Sequence, residues 1–221
     1  MWQSKSDKDL ELDVRDELAF DPRVDVKAIA VSAKGGVVTL SGSVPTYAAK
    51  VVAYHDAERV SGVRAVVEHI DVSLPDMHAR TDADLAKAVA DALSWDVEVP
   101  NNKIKTSVRD GWVTLEGTVD WAYQRFAAEG ALRYLTGVKG LRDLIAVSPP
   151  PASSSDVKQH IKAALTRSAE ADAQGITVDS ADGGGVTLRG TVHSWAEREE
   201  AVRAAWATSG VRKVQDELTY A

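Results

Sequence analysis

The stretch VVTLSG, Val37 to Gly42, carries no acid, no histidine and no lysine, yet a near copy of it occurs twice more. VTLEG stands at Val113 to Gly117 and VTLRG at Val186 to Gly190. The closing glycines, Gly42, Gly117 and Gly190, are 75 and 73 residues apart. Each lies six residues after another glycine (Gly36, Gly111, Gly184) and 20 residues before a third (Gly62, Gly137, Gly210). The third glycine opens GVRAV, GVKGL and GVRKV in turn. Offsets kept across three copies identify a tandem repeat. Glycines fixed within it mark positions where the backbone sets the choice of residue.

Upstream of each VTL phrase, apolar residues fall at i, i+4 and i+8: Leu10, Val14 and Leu18; Leu85, Val89 and Leu93; Val157, Ile161 and Leu165. That spacing draws one stripe along a helix. Ser6, Thr81 and Ser155 are the expected N-caps, and Thr81-x-x-Asp84 resembles a capping box. The segments from Ile29, Ile104 and Ile176 alternate apolar and polar residues, as a half-buried strand does. Glycine-bearing turns follow, and the VTL strand returns as the second arm of a hairpin. A second helix is expected over roughly Thr46–Val60, Trp121–Leu135 and Ser194–Thr208, ending at the third glycine. Ala53, Ala128 and Ala201 occupy one equivalent position in it, where a small side chain lets helix and sheet approach. A last strand closes each copy.

The order α-β-β-α-β, three times over, predicts an α+β fold: small three-stranded mixed sheets, each with two helices on one face. The second helix is a crossover, so the third strand runs parallel to the second. In this reading the glycine of VTLSG marks where the chain leaves the sheet. Boundaries are expected at 1–75, 76–148 and 149–221, with LPDMHAR and the stiff SPPPASSS as connections.

Composition removes several function classes. A net charge of −7 argues against nucleic acid as a partner, because phosphate neutralisation needs clustered Lys and Arg. There is no cysteine, so disulfides, thiolate metal sites and cysteine nucleophiles do not arise. The N-terminal MWQSKSDKDLELD lacks the apolar core of a secretory signal, which predicts a cytoplasmic chain, or a periplasmic one if a leader has been removed. No transmembrane segment is expected.

The candidate sites are modest. The repeated glycines are not followed by a Walker lysine or a GxGxxG, so they read as structural: Gly36, Gly42, Gly62, Gly111, Gly117, Gly137, Gly184, Gly190 and Gly210. Gly183 to Gly185 read as a loose hairpin tip. His55, His69, His78, His160 and His193 have no partner at metal-ligand spacing, so neither a metal nor another cofactor is expected. No GxSxG or comparable nucleophile setting occurs, and no catalytic residue is proposed. The aromatic residues stand out. Six tryptophans accompany only two phenylalanines. Trp121, Tyr123, Trp195 and Tyr47 lie at the start of the second helix, while Trp95 lies after the first helix of copy two. An indole suits an apolar–polar boundary, so Trp95, Trp121, Tyr123 and Trp195, with Arg125, Arg133 and Lys139 nearby, form the expected contact set for lipid or a protein partner.

With the α-β-β-α-β order, V-T-L-x-G and G-V-[RK] in hand, the chain resembles the BON domain family, with Gly185 to Leu218 especially close to its pattern. The resemblance implies a non-catalytic module that binds phospholipid or the membrane surface in osmotic or envelope stress. A protein-interaction or assembly module stays open as the alternative.

Overall fold

The computed structural model describes residues 5–75, 80–168 and 175–220. Part of the expected LPDMHAR connection, and His78 with it, lies outside them. Copy one runs α1 (Asp7–Phe20), β1 (Ile29–Lys34), β2 (Val37–Val44), α2 (Tyr47–Arg59) and β3 (Ala65–Val72). Copy two runs α3 (Asp82–Trp95), β4 (Ile104–Arg109), β5 (Trp112–Val119), α4 (Ala122–Arg133) and β6 (Gly140–Val147). Copy three runs α5 (Ser154–Arg167), β7 (Ile176–Ala181), β8 (Gly185–Val192), α6 (Trp195–Trp206) and β9 (Lys213–Tyr220).

Three separate three-stranded sheets result, ordered β1-β2-β3, β4-β5-β6 and β7-β8-β9, so the VTL strand is central in each. In copies one and three it pairs antiparallel with the preceding strand and parallel with the following one. The pleat sends alternate residues to opposite faces. Val38 and Leu40 are fully buried, and their equivalents Val113 and Leu115, and Val186 and Leu188, are at most 2% exposed. In copy one these strand residues share a core with Leu10, Val14 and Leu18 of α1 and Ala53 and Ala57 of α2. The same arrangement recurs in copy three around Ile161, Leu165, Ala201 and Ala205. Ala53, Ala128 and Ala201 are all fully buried.

By compactness the chain divides into two units. One holds Met1–Val89, Val108–Val113 and Leu132–Leu141; the other holds Ala90–Ser107, Thr114–Ala131 and Arg142–Ala221.

Three local expectations change. The cap of α5 is Ser153, whose hydroxyl accepts from the Asp156 amide, and not Ser155, which lies inside the helix. The reason is register. Ser6 and Thr81 each stand four residues before the first apolar residue of the stripe, and four before Val157 is Ser153. At Thr81 the hydroxyl both accepts from the Asp84 amide and donates to its carboxylate, a local pair in place of a reciprocal capping box. The second helices stop at Arg59, Arg133 and Trp206, before the third glycines, which sit with positive φ in the turns beyond.

The glycine of VTLSG does not mark the exit from the sheet either. Gly42 pairs with Ile29 on one side and Ile70 on the other, and β2 continues to Val44. Its φ is +144°, and a Cβ there would stand 2.1 Å from the Ala28 carbonyl oxygen. Gly117 and Gly190 meet the oxygens of Lys103 and Gly175 in the same way, at 2.1 and 1.9 Å. The strand needs glycine because the chain entering the first strand crosses directly over it.

Candidate functional site

The nine glycines singled out by the repeat all have positive φ, between 82° and 151°. Two of the three classes are spatial partners. The carbonyl of the turn glycine accepts the amide two residues after the third glycine: Arg64 to Gly36 at 2.8 Å, Lys139 to Gly111 at 2.9 Å and Arg212 to Gly184 at 2.8 Å. At Gly184 the approach is closest, a Cβ falling 2.2 Å from the Gly210 oxygen. Gly184 is therefore a fixed contact, and only Gly183 of the tip stands in open space. These glycines shape the backbone.

A second threefold feature is carried by charged residues that keep the repeat offsets of 75 and 73. A basic residue on the second helix pairs with an acid on the last strand, always 18 positions on. Lys50 meets Glu68 at 2.9 Å, Arg125 meets Asp143 at 2.5 Å and Arg198 meets Asp216 at 2.7 Å. The same acid accepts a backbone amide two residues later, from Ile70, Ile145 and Leu218. Arg125, expected to face a headgroup, is thus engaged inside its own copy.

The start of the second helix is held by complementary devices. Thr46 and Ser194 cap α2 and α6. In copy three Glu197 returns the bond by accepting from the His193 amide, completing the reciprocal box one residue early. Trp121 holds the same position in copy two, and there the Gln124 side chain accepts from the Asp120 and Trp121 amides. Trp121, Trp195 and Tyr47 are half-buried at these helix starts, and Arg133 is half-buried at the end of α4. Tyr123 is 51% exposed on α4.

Trp95 is different. As the last residue of α3 it is 86% exposed, and Val97 beyond it is 99% exposed. The equivalent residue of copy one, Phe20, ends α1 and is 85% exposed. Phe20 was missed by sequence reasoning, although its offset of 75 from Trp95 equals that of the repeat. Copy three has Arg167 at the end of α5. Asp96 and Glu98 flank the exposed pair, the Asp96 carboxylate accepting from the Glu98 amide at 2.9 Å.

Among the described residues no group of three or more His, Asp or Glu is placed to hold a metal ion. No described helix is long and apolar enough to cross a membrane.

Comparison with known proteins agrees with the repeat. The BON domain family matches residues 6–73, 81–149 and 153–221. Osmotically-inducible protein Y of Escherichia coli (strain K12) is 32% identical over 120 residues, which span 52% of this chain and 59% of that protein. Among solved structures, CdsD, a structural protein of the type III secretion system of Chlamydia trachomatis, aligns over 96% of this chain and 92% of its own at 16% identity, with a TM-score of 0.27. A second structure, the C-terminal domain of CdsD, aligns over 98% of this chain and 100% of its own, also at 16% identity and a TM-score of 0.27. Three whole-copy matches, each spanning one α-β-β-α-β unit, show that the chain belongs to the BON domain family and carries the domain three times in tandem.

Proposed function

We propose that this protein is a non-catalytic binding module that meets a phospholipid surface through Trp95 and Val97, in the osmotic stress setting that the name of its Escherichia coli relative carries. The exposure of Trp95 supports the reading best. An indole held almost wholly in water forgoes the burial of about 200 Å², of order 4 kcal/mol. Phe20 repeats the feature, and Tyr123 on α4 is the second exposed member of the expected set. Trp121, Trp195 and Arg133, the other members of that set, are half-buried, and Arg125 holds α4 by its ion pair with Asp143 of β6.

With a net charge of −7 the attraction is apolar and not electrostatic. Flotation with phosphatidylglycerol-containing vesicles therefore persists at high salt and drops on Trp95→Glu. Absence of co-flotation at low salt, or undiminished flotation of Trp95→Glu, removes the lipid reading.

The acids Asp96 and Glu98 beside the exposed pair favour a second reading, an assembly surface for another protein. In that case Trp95→Glu abolishes recovery of a partner from stressed cells while vesicles are ignored by both proteins.

A further inference from the structure

Copies one and three differ at one place between their two helices. In copy one Arg59 of α2 is held by Asp56 on its own helix and by Glu17 of α1. Aligned on Leu10 and Val157, and on Ala53 and Ala201, those positions in copy three are Ala207, Ala204 and Ala164. Three long charged side chains have become three methyl groups. The space they vacate is a groove between α5 and α6 of about 360 Å³. That volume lies within the range of small-molecule sites.

The lining is cationic. Arg167, His160 and Arg203 stand around the groove with Glu200. Glu200 is 9% exposed and accepts from both Nε and Nη2 of Arg203 at 2.7 Å, which fixes that guanidinium in place. Arg167 is exposed, and its side chain makes no ion pair or hydrogen bond among the described residues. A planar guanidinium offers paired donors matched to oxyanions. Two of them around a single carboxylate leave one net positive charge and so an attraction for an anion.

We propose that the groove between α5 and α6 binds a phosphoryl group, with Arg167 as its principal donor and Arg203 and His160 beside it. The site is particular to copy three, because copy one fills the space with its own charges. It does not rest on the membrane reading.

The test follows backbone amide shifts of the full chain titrated with inorganic phosphate at constant ionic strength, with acetate as comparator. Phosphate gives saturable shifts in α5 and α6. Arg167→Gln weakens the response about tenfold, as removal of one charge-assisted hydrogen bond does. Ala207→Tyr, which installs the residue copy two carries there (Tyr134), blocks it by filling the groove. Trp95→Glu leaves it unchanged, so failure here is distinguishable from failure of the lipid reading. Vesicle flotation of Arg167→Gln then assigns the source: a fall indicates a lipid-borne phosphate, no change a soluble one. The proposal is overturned by shifts that do not saturate, by an equal response to acetate, or by phosphate binding that survives both substitutions.

Discussion

The indole of Trp112 lies across Gly140, so closely that a Cβ at residue 140 would stand 2.4 Å from the ring. The two residues face each other across β5 and β6, and the other copies fill the equivalent pair differently, with Val37 opposite Ala65 and Gly185 opposite Lys213. A large ring is matched by the absence of a side chain. Gly140 has no positive φ, so its requirement is steric alone. Gly140→Ala destabilises by about 1 kcal/mol, the low end for overpacking, because the ring is 49% exposed and can swing aside. Trp112→Val together with Gly140→Ala rebuilds the copy-one pair and recovers most of the loss. Denaturant unfolding of the two single variants and the double variant measures the coupling, and simple additivity would show that the pair is not a unit.

The glycines separate by what lies opposite them. Gly117→Val places side-chain atoms against the Lys103 oxygen, where even a Cβ stands 2.1 Å away, at a φ of +151°. The opposing atoms are backbone of Lys103 and Ile104 and cannot swing aside, and the cost is roughly 3 kcal/mol or more. Gly183→Ser meets open space and bears only the strain of φ +90°, about 1 kcal/mol. Thermal unfolding should show the larger shift for Gly117→Val, and equal shifts would contradict the steric account.

The helical stripes and the hairpin were readable because their periods, 3.6 and 2, project directly onto a buried face. Leu10, Val14 and Leu18 meet one core for that reason. Ser153 was readable too, once its four-residue offset from Val157 was compared with those of Ser6 and Thr81. Gly42 was placed correctly and explained wrongly, since a composition pattern locates a glycine without naming the carbonyl that passes over it. Asp143 and Asp216 keep the repeat offset from Glu68, as Arg125 and Arg198 keep it from Lys50, so the charges could be located. That the two sets meet across 18 residues was not readable, because no helix or strand period joins them. The groove of copy three is written in alanines, which carry no signal alone and acquire meaning only beside Glu17, Asp56 and Arg59.

The acid on each last strand does more than pair with a cation. β3, β6 and β9 are edge strands, and an edge presents unpaired amides that invite another chain. Asp216 occupies one such amide, that of the buried Leu218, at 3.0 Å, while holding Arg198. Arg198 also lies 5.6 Å from the centre of the Tyr220 ring. Asp216→Ala strands both an amide and a guanidinium and costs about 1–3 kcal/mol, whereas Arg198→Ala leaves the amide satisfied and costs less. Light scattering should show self-association growing for Asp216→Ala and not for Arg198→Ala. The reverse order would mean that the acid does not guard the edge.

Two carboxylates of copy one titrate in opposite directions. The Arg23 side chain and amide hydrogen-bond Asp21 and hold its pKa at about 2. Burial pushes Asp56 up, aided by Asp21 and Glu17 and opposed by Arg59 and Arg23. Asp56 is 2% exposed, and one of its oxygens has no hydrogen bond among the described residues. A depressed carboxylate contributes stability above its unfolded pKa of 3.8, and that contribution is lost as pH falls toward 2. A raised one works the other way: its contribution is present below 3.8 and is lost as pH rises through the folded value. Asp21→Asn should therefore destabilise at pH 7, with the deficit closing on acidification between pH 4 and 2. For Asp56→Asn, the difference from the parent should move in favour of the parent as pH falls from 7 toward 4. Urea midpoints across that range read both slopes, and a parent advantage at Asp56 that shrinks on acidification would show that the carboxyl is not raised by burial.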